Sequence, residues 1–297
     1  MTLSYSGSTG YPHEAVIRIG FFVLILAAVA LAEIGVPRRR LTAAKAGRWL
    51  VNLAMTAVDT LLVRLLFPVL PVGIALICAE KGWGFLNHVP VPFPAAVVIG
   101  VLALDLIIYL QHVAFHMLPL LWRLHGVHHT DLDIDTTTGV RFHPLEIVLS
   151  TLIKLSAVAA LGISPLAVLV FDVLLNGTSL FNHGNIGLPA AFDRWLRLFV
   201  VTPDKHRVHH TVLIRETNSN FGFNFPWWDR LFGTYRPRPA AGHEGMNIGL
   251  AEFRNERALT LRALLLMPFG RALASGSLRG GPLPVRRAAK KGPSAEA

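Results

Sequence analysis

Three histidine clusters, set at the ends of apolar runs, constrain this chain more than any other feature. They read His112-x3-His116, His125-x2-His128-His129 and His206-x2-His209-His210. Of 13 histidines, eight lie in these clusters and two more, His143 and His183, lie between them. His13, His88 and His243 fall outside. On a helix, residues at i, i+3 and i+4 share a face, so each cluster aims two or three imidazoles at one point. Neutral imidazole suits iron, zinc, copper and nickel. Eight to ten converging nitrogens exceed the four ligands, or three plus water, of a tetrahedral zinc, so the count favours two metals. A single HxxHH is often a surface or pH-responsive group; three clusters at the ends of apolar segments fit that reading poorly.

The apolar runs imply a membrane. Charged residues make up 15% of the chain and hydrophobic ones 53%, against about 25% charged in soluble domains, and mean hydropathy is +0.49. The net charge is +10, but the basic residues gather beside apolar runs and in the tail, which argues against a nucleic-acid surface and fits a cytoplasmic bias. One cysteine, Cys78, lies in an apolar run, so neither an intrachain disulfide nor a thiolate metal site is expected.

Residues 1–14 are polar and read as loosely ordered, without a basic region or cleavage site for a signal peptide. Ile19–Ala32 with its flanks reaches the ~20 residues of a span. It ends at Pro37-Arg38-Arg39-Arg40, which places this end in the cytoplasm. Trp49–Ala79 is 31 residues long, about 46 Å as one helix, against a hydrocarbon core of about 30 Å. A tilted or kinked span broken near Pro68 and Pro71 is expected. Asp59 and Arg64, five apart within it, are poor intrahelical partners and face either a cavity or the membrane interface. Lys81–Pro94 reads as a loop, and Ala95–Leu110 as a span that runs into His112. Leu145–Leu161 and Pro165–Leu180 read as a helical hairpin, with Gly162 closing the first arm and Ser164-Pro165 starting the second. A hairpin returns His183 and the last cluster to the side of the first two. Ala191–Val201 has helical periodicity suited to an interface or to cytosolic packing. A helix is expected around Glu252–Met267, and the last fifteen or so residues read as disordered.

The order HxxxH, HxxHH, then a late HxxHH resembles the fatty acid hydroxylase/sterol desaturase superfamily of membrane di-iron enzymes. Arg141-Phe142-His143-Pro144-Leu145-Glu146 resembles its Phe-His-Pro-x-Glu segment. Asn220-Phe221-Gly222 through Trp228-Asp229-Arg230-Leu231-Phe232-Gly233-Thr234-Tyr235 resembles the stretch after its last histidine box. The resemblance covers roughly residues 95–236. It implies two iron ions, with zinc possible on isolation, held by His112, His116, His125, His128, His129, His206, His209 and His210. His183 matches the family's isolated ligand, and the second histidine often found four residues earlier is here Ser179. His143 matches the Phe-His-Pro segment as a ligand or as a partner of one. The resemblance further implies O2-dependent hydroxylation or desaturation of a lipid C–H bond with two external electrons.

The expected fold is all-α: a multi-pass bundle of about three spans plus a helical hairpin, under a cytosolic histidine-rich cap. Its parts are membrane spans and an outer loop over 1–94, a catalytic domain over 95–236, and a basic segment over 237–297. Asp131, Asp133, Asp135, Glu146 and Asp204 are the acids near the histidines and are placed to orient imidazole N–H groups. No GxGxxG opens a helix, and no cysteine cluster exists, so electrons come from a partner of cytochrome b5 or ferredoxin type. The alternatives are a non-redox zinc membrane hydrolase and a non-catalytic membrane metal or haem protein. A bacterial inner membrane is the expected location. Which lipid is oxidised does not follow from the residues.

Overall fold

The computed structural model describes residues 13–256 and 259–270. Every regular element among them is helical, and the β-pairing is confined to two isolated bridges, Pro37 with Ile186 and Thr211 with Ile248. The expected all-α fold is therefore what the chain adopts. Five helical segments are long and apolar enough to cross a membrane: Glu14–Gly35, Lys45–His88, Phe93–Met117, Pro144–Leu161 and Pro165–Asn182.

Helix α1 (Glu14–Gly35) packs along α7 (Pro165–Asn182) and leaves Val16, Ile19, Val23, Leu24, Leu31 and Ile34 exposed. Exposed apolar faces of this size suit lipid rather than water. The long second segment is broken as its prolines dictate. Helix α2 (Lys45–Leu66) stops before Pro68, and α3 (Pro71–Lys81) restarts with proline at its first position. Residues 82–92 hold one short 3-10 turn, Phe85–His88. Helix α4 (Phe93–Met117) carries the first two cluster histidines near its end and turns at once into α5 (Pro119–His129), which carries the next three.

Helix α6 (Pro144–Leu161) and α7 form the expected hairpin. Gly162 ends α6 at φ 67°, a conformation that glycine adopts without strain, and Ser164 Oγ caps α7 by accepting from the Ala167 N–H at 3.3 Å. The core between α3, α4, α6 and α7 is Val72, Ala75, Leu104, Ile108, Val158, Ala167, Val168 and Phe171. The chain's polarity is inverted relative to its surface. Ion pairs such as Lys154 Nζ–Asp172 Oδ1 at 2.8 Å sit inside the bundle while leucines face outward.

The ends of α1, α4 and α7 and the starts of α2 and α6 meet at one end of the bundle. There Glu33 of α1 accepts from the Thr136 N–H at 2.7 Å and the Asn185 N–H at 3.0 Å, and Arg48 of α2 reaches Asp131. The loops on this end make the cap, with short helices α8 (Ala190–Leu196) and α9 (Pro203–His209). The helix expected over Ala191–Val201 thus ends at Leu196, and Phe192, Trp195, Leu198 and Phe199 are exposed. The helix expected over Glu252–Met267 is shorter too. It starts only where Thr260 Oγ1 accepts from the Ala263 N–H at 3.3 Å, and runs from Leu261 to Leu266 before a 3-10 turn. The terminal stretches expected to be loose lie, but for residues 13 and 14, outside the described residues.

Candidate metal centre

Nine histidines converge in the cap as two groups. His112, His116, His125, His129 and His209 form one; His128, His183, His206 and His210 form the other. In each group the potential ligand atoms lie within 4.8 Å of one another. The spacing predicts one point of aim per cluster, but α5 and α9 each divide their histidines between the two groups. On α4, His112 and His116 stack one turn apart. On α5, His125 and His129 share a face and turn toward the α4 pair, while His128 lies off that face and points to the other group. On α9, His206 and the adjoining His210 go to the four-histidine group and His209 to the five.

All nine are buried, each residue at most 3% exposed. Burial pushes the His125 and His183 imidazoles down to about 3. Burial and then the neighbouring imidazoles push His128, His129, His206, His209 and His210 well below the ordinary range. Neutral rings are the form that binds metal.

The tautomer is set from behind. Six of the nine place Nδ1 against an oxygen: His112 on Phe221 O at 2.7 Å, His116 on Asn218 Oδ1 at 3.2 Å, His125 on Glu146 Oε1 at 2.7 Å, His128 on Arg141 O at 3.2 Å, His183 on Ser179 O at 2.7 Å and His209 on Ser219 O at 2.8 Å. Donation from Nδ1 leaves the Nε2 lone pair facing inward. Inside, Nε2 atoms approach closely: His112–His125, His128–His183 and His183–His206 at 3.1 Å, and His206–His210 at 3.3 Å. Two lone pairs that close repel unless a cation lies between them. Nitrogens each ~2.1 Å from one ion, at angles of about 90–109°, are roughly 3.0–3.4 Å apart. The observed separations fall in that interval. His129, with both ring nitrogens unpartnered among the described residues, and His209 Nε2 are buried polar groups that a metal ion would satisfy. The residues present fit two metal ions.

The tenth expected histidine stands elsewhere. His143 is outside both groups. It caps α6, its Nδ1 accepting from the Leu145 N–H at 3.2 Å and its Nε2 donating to Leu265 O at 3.2 Å. Ser179, which stands in place of the second histidine that the resemblance implies, supplies through its carbonyl the acceptor for His183. Of the five acids expected to orient imidazoles, only Glu146 does so for any of the nine. Asp131 and Asp135 instead clamp Arg48, at 2.6 Å each, and Asp133 accepts from the Thr42 and Ala43 amides at 2.5 and 2.7 Å. Asp204 pairs with Arg38 and Arg207. Burial raises the Asp131 carboxyl, but the charge and hydrogen bonds of Arg48, with Arg141, override it and hold the group well below the usual carboxylate range.

The segment after the last cluster is organised by Asp229. It accepts from the Phe221 and Gly222 amides at 2.8 and 3.1 Å and from Thr234 Oγ1 at 2.7 Å, and it pairs with buried Lys205. These contacts hold Phe221, whose carbonyl orients His112. The backbone carbonyls behind the histidines carry no sequence signal and were not anticipated.

A cavity of about 320 Å³ opens beneath the cap, with His112 and His125 in its wall. It runs between α2, α4, α6 and α7 to Arg18, Lys154 and Asp172. Asp59 and Arg64 both line it, so the cavity accounts for these two charges in a membrane segment.

The model of the fatty acid hydroxylase family matches residues 97–234. Residues 97–234 belong to that family. Its segment includes all nine converging histidines and Asp229. The chain is 29% identical over 182 residues to an ornithine lipid hydroxylase of Rhizobium tropici, covering 59% of this chain and 54% of the relative. It is 29% identical over 145 residues to the cholesterol 25-hydroxylase of Rattus norvegicus, covering 48% and 47%. It is 29% identical over 140 residues to the alkylglycerol monooxygenase of Xenopus tropicalis, covering 46% and 29%. The matched region thus spans about half the length, or less, of these relatives. No solved structure matches the chain.

Proposed function

We propose that the chain is a membrane-bound non-haem di-iron oxidoreductase that hydroxylates or desaturates a lipid C–H bond. The observation that carries this reading is the pair of adjacent buried histidine groups, one of which reaches the wall of a cavity through His112 and His125, within a bundle of membrane-spanning length. The relatives named as hydroxylases and a monooxygenase act on lipids by name, which supports a lipid substrate here.

Two irons would supply reductive activation of O2. His112, His116, His125, His129 and His209 would hold one, and His128, His183, His206 and His210 the other. For hydroxylation, the C–H bond, O2, two electrons and two protons become C–OH and water. For desaturation, two C–H bonds, O2, two electrons and two protons become C=C and two waters. The chain's own contribution is positional. Glu146 and the carbonyls of Phe221, Arg141, Ser179 and Ser219 fix the rings. Burial keeps bulk water from the centre, and the cavity brings the substrate to His112 and His125. Two electrons come from an external donor of cytochrome b5 or ferredoxin type. We place the histidine cap on the cytoplasmic side of a bacterial inner membrane. Arg38, Arg39 and Arg40 flank that end of α1, although Arg38 also serves the fold by pairing with Asp204.

Five imidazoles in one group exceed the needs of a water-activating zinc, which counts against a zinc hydrolase. The test is metal content and turnover of the detergent-purified protein. About two irons per chain and an O2- and reductant-dependent lipid product are expected, both lost in His128→Ala and His209→Ala. Full turnover in both variants would refute the assignment.

A further inference from the structure

The buried polar groups on the cavity wall differ in one respect from a balanced set. Lys154 Nζ pairs with Asp172 Oδ1 at 2.8 Å, and Arg18 NH1 pairs with Glu14 at 2.9 Å while its NH2 lies 3.6 Å from Asp172 Oδ2. The cations at the far end are therefore matched within the protein. Nearer the histidines, Asp59 Oδ1, Gln111 Oε1 and Glu146 Oε2 have no hydrogen-bond partner among the described residues. All three are acceptors, and no buried donor on the same wall is left over among those residues. Asp59 is 6% exposed and makes no ion pair among them, and Glu146 is 4% exposed. The two carboxyls lie within electrostatic reach of each other.

A buried acceptor without a donor is costly, and a buried carboxylate without a cation more so. A ligand that relieves this wall must bring N–H or O–H groups, and a positive charge relieves it best. A phosphate or carboxylate headgroup would add negative charge beside Asp59, where every buried donor is taken; Arg64, the lining cation outside these ion pairs, stands exposed rather than buried beside it. A hydroxyl would fill one acceptor and bring no positive charge to Asp59. An ammonium does both. At about 320 Å³ the cavity is at the small end of ligand sites, which run roughly 300–1,000 Å³. It takes a headgroup and the adjoining carbons rather than a whole lipid. Its exposed lining residues are Thr60 and Arg64, near the break of α2 where Leu70 and Pro71 also line it, and Asn176 of α7.

We propose that this cavity selects an amine-bearing lipid, whose ammonium is held by Asp59 with Gln111 as a further acceptor. The assignment of this ligand as a substrate rests on the oxidoreductase reading; the binding preference itself does not. The experiment therefore measures binding without O2 or reductant. Hexadecylamine, hexadecanol and hexadecanoate are titrated into the metal-loaded full chain in neutral detergent micelles, and partition into micelles alone is subtracted. The amine is expected to bind at least about tenfold tighter than the other two. Asp59→Asn brings the amine down to the level of the alcohol, and Asp59→Glu restores the preference. Thr60→Trp, at an exposed lining position, weakens all three ligands together and serves if Asp59→Asn does not fold. Tighter binding of the carboxylate, an amine preference unchanged in Asp59→Asn, or amine binding unchanged in Thr60→Trp would overturn the proposal. Absence of a lipid product under reducing, aerated conditions would count against the oxidase reading and leave the amine preference standing.

Discussion

Glu146 Oε1 lies 2.7 Å from His125 Nδ1, and no other carboxylate among the described residues bonds any of the nine converging histidines. The contact ties α6 to α5 across the base of the cap and fixes His125 with Nε2 inward. A carboxylate behind a metal-binding imidazole also raises its basicity. Glu146→Gln keeps the shape and removes the charge. It should lower metal affinity or turnover by about 10–100-fold, as loss of such partners does. Metal content after dialysis against a chelator series reads the change, and wild-type retention would show that a neutral acceptor suffices.

Gly139 is required by close approach. A Cβ there would meet the carbonyl carbon of Ser179 at 2.8 Å and His183 Nδ1 at 3.1 Å. Ser179 O is the acceptor that orients His183, and Ser179 Oγ donates back to Gly139 O at 2.7 Å. Gly139→Ala therefore pushes on the four-histidine group and leaves the five-histidine group untouched. Metal analysis should fall from about two ions per chain toward one. An unchanged stoichiometry would mean that the α7 backbone yields without moving His183.

His143 separates the two ways a histidine can matter here. His143→Ala removes the α6 cap and the contact to Leu265 O, a loss of about 1 kcal/mol by analogy with other caps. Both metals should remain. His183→Ala removes a converging imidazole and should release an ion. Measuring thermal midpoint and metal content on both variants distinguishes them, and metal loss in His143→Ala would return it to the ligand set.

Arg48 is buried in α2 and held by Asp131 and Asp135 at 2.6 Å and by the Asp133 carbonyl at 3.0 Å. Asn52 and Arg141 extend the network, Arg141 NH1 donating to Asn52 Oδ1 at 2.9 Å and Arg141 NH2 to Thr130 Oγ1 at 2.7 Å. Removing one member of a buried pair leaves the other uncompensated, at a cost of about 3–5 kcal/mol. Arg48→Ala should lower the thermal midpoint sharply, and Arg48→Ala with Asp131→Asn should recover part of it. Equal midpoints for the single and double variants would show that the charge on Asp131 is not what the arginine balances.

This network also marks how far the sequence could be read. The histidine spacing showed that each cluster gathers on one side of its helix, because helical period is a local property, but not that α5 and α9 divide their histidines between two groups. Gly162 and Ser164-Pro165 gave the hairpin for the same reason. Arg48 and Asp131 stand 83 positions apart in the chain, and nothing local tells an acid that serves an arginine from one that serves an imidazole. Asp131, Asp133 and Asp135 alternate, as in a solvated loop, yet all three are buried. Four of the acceptors behind the histidines are backbone carbonyls, which every residue possesses. Asp59 looked ambiguous because its role depends on the break at Pro68 and Pro71, which opens the cavity beside it.

The histidines also set how stability responds to pH in the metal-free protein. In the unfolded chain each imidazole titrates near about 6.5. In the folded chain His125 and His183 are pushed down to about 3 by burial, and His128, His129, His206, His209 and His210 lie well below their ordinary value. Between these limits the unfolded state binds more protons than the folded one, so stability falls as pH falls. The loss begins near about pH 6.5 and continues toward about 3. With several such groups acting together the decline should be steep. The chelator-stripped protein should unfold at a markedly lower temperature at pH 5 than at pH 7.5, and His125→Gln, which removes one titrating ring, should flatten the slope. A midpoint independent of pH over that range would mean that the rings titrate in the folded, metal-free protein as they do in the unfolded chain.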